Sequence, residues 1–357
     1  MRRETVELSQ DKLRVAVAGC HRMTHRTPGS HNFATAFHAA PETDVVAVFD
    51  LGAETRTEFV DCWREVWGEI PSYHDYRQML AEIQPDLLCI ATRQTMHADQ
   101  IELAVEAGVH GVLCDKPLVT SLAEMDRIVA ACQEVPLLLG LDRRWMPRYC
   151  ALRELVADGV IGEVTSATAY ALSNLINHGC HSYDAILGLA GDVEPVWVSG
   201  LVDDVSAEPP DSRRRMDPAG NAQIGLANGA VLYVTPNGRH ENAGMTFEVA
   251  GENGRLFLLD DANESYLWSA DDPSGAGLRP LDLPEETEPW PAGKAMVSDL
   301  VEAVQTGGRT ACDIEHVRRA TEIGFAIHGS SMQGGAKVDL PLADRSFRVE
   351  SYPWGNE

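Results

Sequence analysis

The chain has 357 residues, 44% of them hydrophobic, enough for one large domain or two ordinary ones, and no apolar run approaches the ~20 residues of a membrane helix. A formal net charge of −25 sets the chain against nucleic acid and anionic bilayers as partners, and carries no information about fold. Eight cysteines stand singly with no Cys-x-x-Cys, and Met1 to Lys12 is polar without a hydrophobic signal core. The expectation is therefore reduced thiols, no metal site and a cytoplasmic address.

Through about residue 145 the chain alternates strand-like and helix-like stretches. Strands are predicted at Leu13 to Ala18, Val45 to Asp50, Asp86 to Thr92, Val109 to Cys114 and Pro136 to Leu141. Helices are predicted at Asn32 to Ala40, stopped by Pro41, at His97 to Ala107, ended by Gly108, and at Leu122 to Glu134 behind a Ser121 cap. Continuous apolar strands separated by helices imply a parallel sheet covered on both faces, with ligands at the C-terminal strand ends.

Beyond residue 150 the texture changes. Helices are expected at Arg148 to Asp158, His178 to Leu189, Lys294 to Gln305 and Ile314 to Met332, and strands at Val164 to Leu172 and Pro195 to Ser199. Two hairpins follow, one around Asn228-Gly229, which predicts a type I′ turn, and one around Gly251 to Gly254. Asp203 to Gly220, with Ser212-Arg213-Arg214-Arg215, and Asp271 to Gly293 read as irregular. The fold class is α/β. An N-terminal doubly wound parallel sheet of Rossmann type (1–145) precedes a C-terminal α+β domain with a large, mostly antiparallel sheet (146–357), whose last helices can pack back on the first.

A dinucleotide site wants Gly-x-Gly-x-x-Gly after the first strand and an acid after the second. Asp50 occupies the acid position and disfavours a 2′-phosphate, so NAD is expected over NADP. Gly19 supplies the first glycine, but Cys20-His21-Arg22-Met23 replaces the usual continuation. Gly29 aligns as the third glycine once an insertion of about six residues is allowed, with a helix start at Ser30. His21, Arg22, His25 and Arg26 in that insertion either clamp a pyrophosphate or form a solvated excursion.

At Cys114-Asp115-Lys116-Pro117 the chain begins to resemble the Gfo/Idh/MocA oxidoreductases, which carry Glu-Lys-Pro after the fifth Rossmann strand. Thr92-Arg93-Gln94-Thr95-Met96-His97 is similar to the family's Thr-Pro-x-x-x-His, with Arg93 for Pro. Asn177-His178-Gly179-Cys180-His181-Ser182-Tyr183-Asp184 is similar to its Asp-x-Gly-x-His-x-x-Asp, with Asn177 for the first Asp. The resemblance covers nearly the whole chain and implies Lys116 and His181 as catalytic pair, with Asn177 beside them. It implies Thr92 and His97 on the nicotinamide-ribose side, Asp115 and Lys116 among the cofactor contacts, and Arg143, Asn177, His178 and His181 among the substrate contacts. It also implies a homodimer or homotetramer paired through the second domain's sheet.

The chemistry of the residues agrees with these roles. Oxidising a secondary alcohol needs a base for the hydroxyl proton and a cation for the developing alkoxide, which a histidine and a lysine supply. The expected function is NAD-dependent oxidation or reduction at a CH–OH of a sugar, inositol or related polyol. Because a neutral Asn177 cannot act as base, two alternatives stand beside it. One is an NAD-assisted lyase, hydrolase or hydratase without net redox; the other is a non-catalytic cofactor-binding regulator.

Overall fold

A computed structural model describes residues 12–350 apart from 210, 213–214, 237–244 and 273–276. Its first elements are β1 (Leu13–Ala18), α1 (Phe33–Ala39), β2 (Thr43–Phe49), α2 (Ala53–Trp67), β3 (Ser72–Tyr73) and α3 (Tyr76–Ile83). They continue with β4 (Leu87–Ile90), α4 (Gln94–Glu106), β5 (Gly111–Cys114), α5 (Leu122–Ala131) and β6 (Leu137–Leu139). The six strands form one sheet in the order β3-β2-β1-β4-β5-β6, every neighbouring pair parallel. All residues of β4, β5 and β6 are buried, which is why they read as unbroken apolar runs. Ser121 accepts from the amide of Glu124 and caps α5 as its sequence suggests. Chain order reverses between β1 and β4, so the crevice at their C-terminal ends is the place for a ligand.

The chain then forms α6 (Pro147–Ala157), β7 (Val164–Leu172), α7 (Gly179–Leu189), β8 (Pro195–Val202), β9 (Gly220–Leu226) and β10 (Val231–Pro236). It continues through β11 (Thr246–Gly251), β12 (Gly254–Leu259), β13 (Glu264–Ser269) and β14 (Arg279–Pro280). The last elements are α8 (Pro291–Thr306), α9 (Ile314–Met332) and β15 (Val338–Asp339). Nine strands build the second sheet in the order β14-β13-β12-β11-β7-β10-β9-β8-β15. Only β7 and β10 run parallel; the other pairs are antiparallel. Alternation sorts its residues: Ala167, Ala169, Leu232, Val234, Phe247, Val249, Leu256 and Leu258 are buried, and α7 lies against β7 and β11.

These elements fall into two compact units. Among the described residues, the first holds those up to Trp145 together with Thr287–Glu315, so α8 returns to the parallel sheet; the second holds Met146–Glu286 and those from His316 to Glu350. Gly111 in β5 makes α8's approach possible, since a Cβ there would sit 2.7 Å from Val304 Cγ2.

Two expectations need correction. The Asn228-Gly229 connection is not a type I′ turn, because that turn needs positive φ at both central residues and only Gly229 has it, at 90°. Gly229 N donates to Leu226 O and the Asn228 carboxamide accepts from Ala230 N, so the connection is a three-residue loop with glycine in the left-handed position. Asp271 to Gly293 is not wholly irregular either, since β14 lies in it and pairs with β13. Arg213 and Arg214 lie outside the described residues. No helix among the described residues is long and apolar enough to cross a membrane.

Candidate active site

The first unit gathers its site residues at the C-terminal strand ends. Gly19 follows β1 at φ 83°, and a Cβ on it would stand 2.5 Å from the backbone of Ala91 and Thr92. Only glycine permits that approach of the β1 loop to the β4 loop. Asp50 follows β2: its Oδ2 accepts the amide of Cys20 at 2.9 Å and its Oδ1 that of Gly52 at 2.8 Å. The Cys20 thiol, pushed up by burial and then by Asp50, stays protonated beside the same oxygen.

The lengthened loop after β1 is a built structure. His21–Met23 makes one 3-10 turn whose Met23 is buried and whose carbonyl takes the Trp63 indole N–H at 2.7 Å. The Asn32 carboxamide donates to His25 O and Thr27 O, while Arg26 turns away to pair with Glu65 on α2. His21 and Arg22 remain exposed. Gly29 has nothing within 4 Å of a Cβ position, and α1 begins at Phe33 rather than Ser30. Nothing around Gly29 requires glycine.

At the end of β5, Asp115 is buried and its Oδ1 accepts the Lys116 amide at 2.8 Å. The same oxygen lies 2.7 Å from Nδ1 of His31, a residue not singled out by sequence. Burial pushes the Asp115 carboxyl up, but His31 and then Lys116 outweigh it and hold it below the usual carboxylate range. The Lys116–Pro117 peptide is cis. His97 is buried with Nδ1 3.2 Å from Leu118 O and Nε2 3.1 Å from Thr92 O. It thus bridges the loops after β4 and β5, and burial lowers its pKa. Thr92 Oγ1 donates to Gln100 Oε1 at 2.5 Å. Arg143 is largely buried, in an ion pair with Asp142 at 3.4 Å.

The second unit places Asn177, His178 and His181 at the start of α7, whose eleven residues are all buried. Asn177 is 1% and His181 8% exposed, while His178 is less buried and its Nδ1 lies 2.7 Å from Ser173 Oγ. A Cβ on Gly179 would fall 2.8 Å from the Tyr183 hydroxyl, so glycine lets that ring close against the first turn. Sequence reading missed Asp217, which sits fully buried in the stretch read as irregular. Its carboxylate accepts the amides of Leu175, Ile176 and Asn177 at 2.9–3.2 Å and so fixes the backbone entering α7. The only sequence cue was the turn-forming pair Asp217-Pro218. A separate open groove of 650 Å³ near Arg153, Gly162 and Asp192 is lined by none of the residues that the sequence singles out for catalysis or cofactor binding.

The first unit's residues fit NAD. A carboxylate offers about four lone-pair positions, and with two amides and the Cys20 thiol on it Asp50 keeps an acceptor for a ribose hydroxyl while its charge opposes a 2′-phosphate. No group of three or more His, Cys, Asp or Glu suited to a metal occurs among the described residues.

A parallel sheet with this switch point, a glycine-only contact and a ribose acid defines a dinucleotide-binding protein. Residues 13–142 match the model of the Gfo/Idh/MocA oxidoreductase family with its NAD-binding Rossmann fold. Over 330 residues it is 26% identical to dTDP-3,4-didehydro-2,6-dideoxy-alpha-D-glucose 3-reductase of Actinomadura kijaniata, covering 83% of this chain and 96% of the relative. With the myo-inositol 2-dehydrogenase of Thermotoga maritima it shares 26% identity over 61% of this chain and 69% of the relative. Its fold is that of a levoglucosan dehydrogenase solved with NADH, at TM-score 0.78, 20% identity and coverage of 93% of this chain and 100% of that one.

Proposed function

We propose that the protein is an NAD-dependent oxidoreductase acting on a CH–OH group of a sugar, inositol or related polyol. The observation that carries this reading is Lys116 at the end of β5, its amide held by a buried, ionised Asp115, in a chain whose relatives include sugar and inositol dehydrogenases. NAD, when bound, supplies the hydride acceptor or donor. Gly19, Asp50, Thr92 and the loop bearing His21 and Arg22 hold it. Lys116 places a cation at the substrate oxygen, where it stabilises developing negative charge. His181 takes or returns the hydroxyl proton. Asn177 and His178 orient neighbouring hydroxyls, and Arg143 contributes a cation after β6.

The sheet face opposite α7 supports self-association. Tyr170, Tyr233, Leu259, Trp268 and Leu201 project from it, each 37–46% exposed, and a homodimer or homotetramer would cover them. All eight cysteines are free, six of them buried, and the address we assign is the reducing cytoplasm.

The test is an absorbance assay of NAD⁺ and NADP⁺ reduction across a panel including levoglucosan and myo-inositol. Wild type reduces NAD⁺ with at least one member and prefers it to NADP⁺, while Lys116→Ala loses about 10²–10⁴-fold in kcat. No reduction with any member would defeat the reading. The neutral, buried Asn177 favours a second reading, turnover without net redox, which product formation with no NADH accumulating would establish.

A further inference from the structure

We propose that His31 is a positioning residue for Lys116: acting through Asp115, it ties the lengthened loop after β1 to the lysine. This rests on the reading of Lys116 as catalytic.

His31 is the last residue of that loop before Asn32 and α1, and it adopts φ 68°, a left-handed conformation that costs an L-residue energy. Its neighbours His21 and Arg22 point to solvent, whereas the His31 side chain is only 18% exposed. The ring meets Phe33 edge-on at 6.4 Å between centroids, which limits its rotation. Its Nδ1 reaches Asp115 Oδ1, the same oxygen that receives the Lys116 amide. An ionised carboxylate only accepts, so Nδ1 must carry the proton there.

One carboxylate oxygen therefore joins two segments 84 residues apart in sequence. Without His31, Asp115 is a buried charge supported mainly from its own turn, and the orientation of that turn is no longer tied to the loop. Besides the buried thiols of Cys89 on β4 and Cys114 on β5, the other titratable groups acting on Asp115 are Lys116, one residue on, and His97, which bridges the flanking loops. None of them comes from the β1 loop, so His31 alone supplies this link among the described residues.

The experiment uses the full-length enzyme, the polyol it turns over best from the panel, and NADH binding read by fluorescence. Four variants are compared: His31→Ala, His31→Gln, Asp115→Asn and Lys116→Ala. His31→Ala is expected to lower kcat about tenfold or more while KM and the NADH Kd move less than about threefold. His31→Gln, whose amide N–H can donate to Asp115, recovers most of kcat. The double variant H31A/D115N falls no further than D115N, because both changes remove one interaction; if His31→Ala does not fold, His31→Phe, which keeps a ring and cannot donate, replaces it in the cycle.

Wild-type kcat in His31→Ala, or full additivity in the cycle, overturns the proposal. An NADH Kd that rises as much as kcat falls also overturns it, since His31 would then be a cofactor contact. If Lys116→Ala turns over normally, the proposed function itself fails and this inference falls with it. A fully active His31→Ala beside an inactive Lys116→Ala removes the inference alone.

Discussion

Lys116 is one of several strand-end residues whose surroundings differ in what they demand. Gly19 is a backbone requirement: Gly19→Ala forces a Cβ to within 2.5 Å of Ala91 and Thr92 at a positive φ. Strain of about 1–3 kcal/mol and a weakened NADH Kd are expected, read by urea unfolding and fluorescence titration. His97 is an electrostatic one. Burial holds its pKa below 6.5, so the unfolded chain binds the proton first as pH falls. The sign follows: stability is fully present above pH 6.5 and declines as pH drops toward the folded-state pKa, with a slope of at most about 1.4 kcal/mol per pH unit. A His97→Gln variant compared with wild type in urea at pH 7.5 and 5.5 should lack that component of the slope; identical slopes would contradict it.

Among elements, those with a single strong pattern were legible and those resting on context were not. β4 and β5 are buried on both faces, and α9 runs over the span its periodicity marks, Ile314–Met332. Asp115, Lys116 and Asp50 could be picked out because strand ends place them, and their motifs are local in sequence. α2 is hard to read because six of its fifteen residues are charged and only Phe59 and Trp63 are buried. His31 and Asp217 escaped for another reason: each acts across a gap of about 40 to 84 residues, which no local pattern encodes. The entry to α7 shows the consequence. Asp217→Ala leaves the amides of Leu175, Ile176 and Asn177 without their buried acceptor, and a loss of about 3 kcal/mol or more is expected in thermal or urea unfolding. A change below about 1 kcal/mol would show that water replaces the carboxylate there.

For the whole molecule, the open question is how the second sheet's exposed face is covered. Tyr233 on β10 and Phe257 on β12 both project from the side opposite the buried alternates, with Trp268 on β13. Light scattering after size exclusion should give a dimer or tetramer mass, and Tyr233→Glu with Trp268→Glu should shift it toward one chain. A monomeric wild type would sink that part of the account. The proposed reaction is hydride transfer at a carbinol carbon under the control of Lys116. The most direct measurement supplies the preferred polyol deuterated at that carbon and analyses the reduced cofactor by mass spectrometry. Deuterium is expected in NADH from wild type and none from Lys116→Ala that still binds the cofactor. Product formed with no deuterium in NADH, or undiminished labelling by Lys116→Ala, would contradict it.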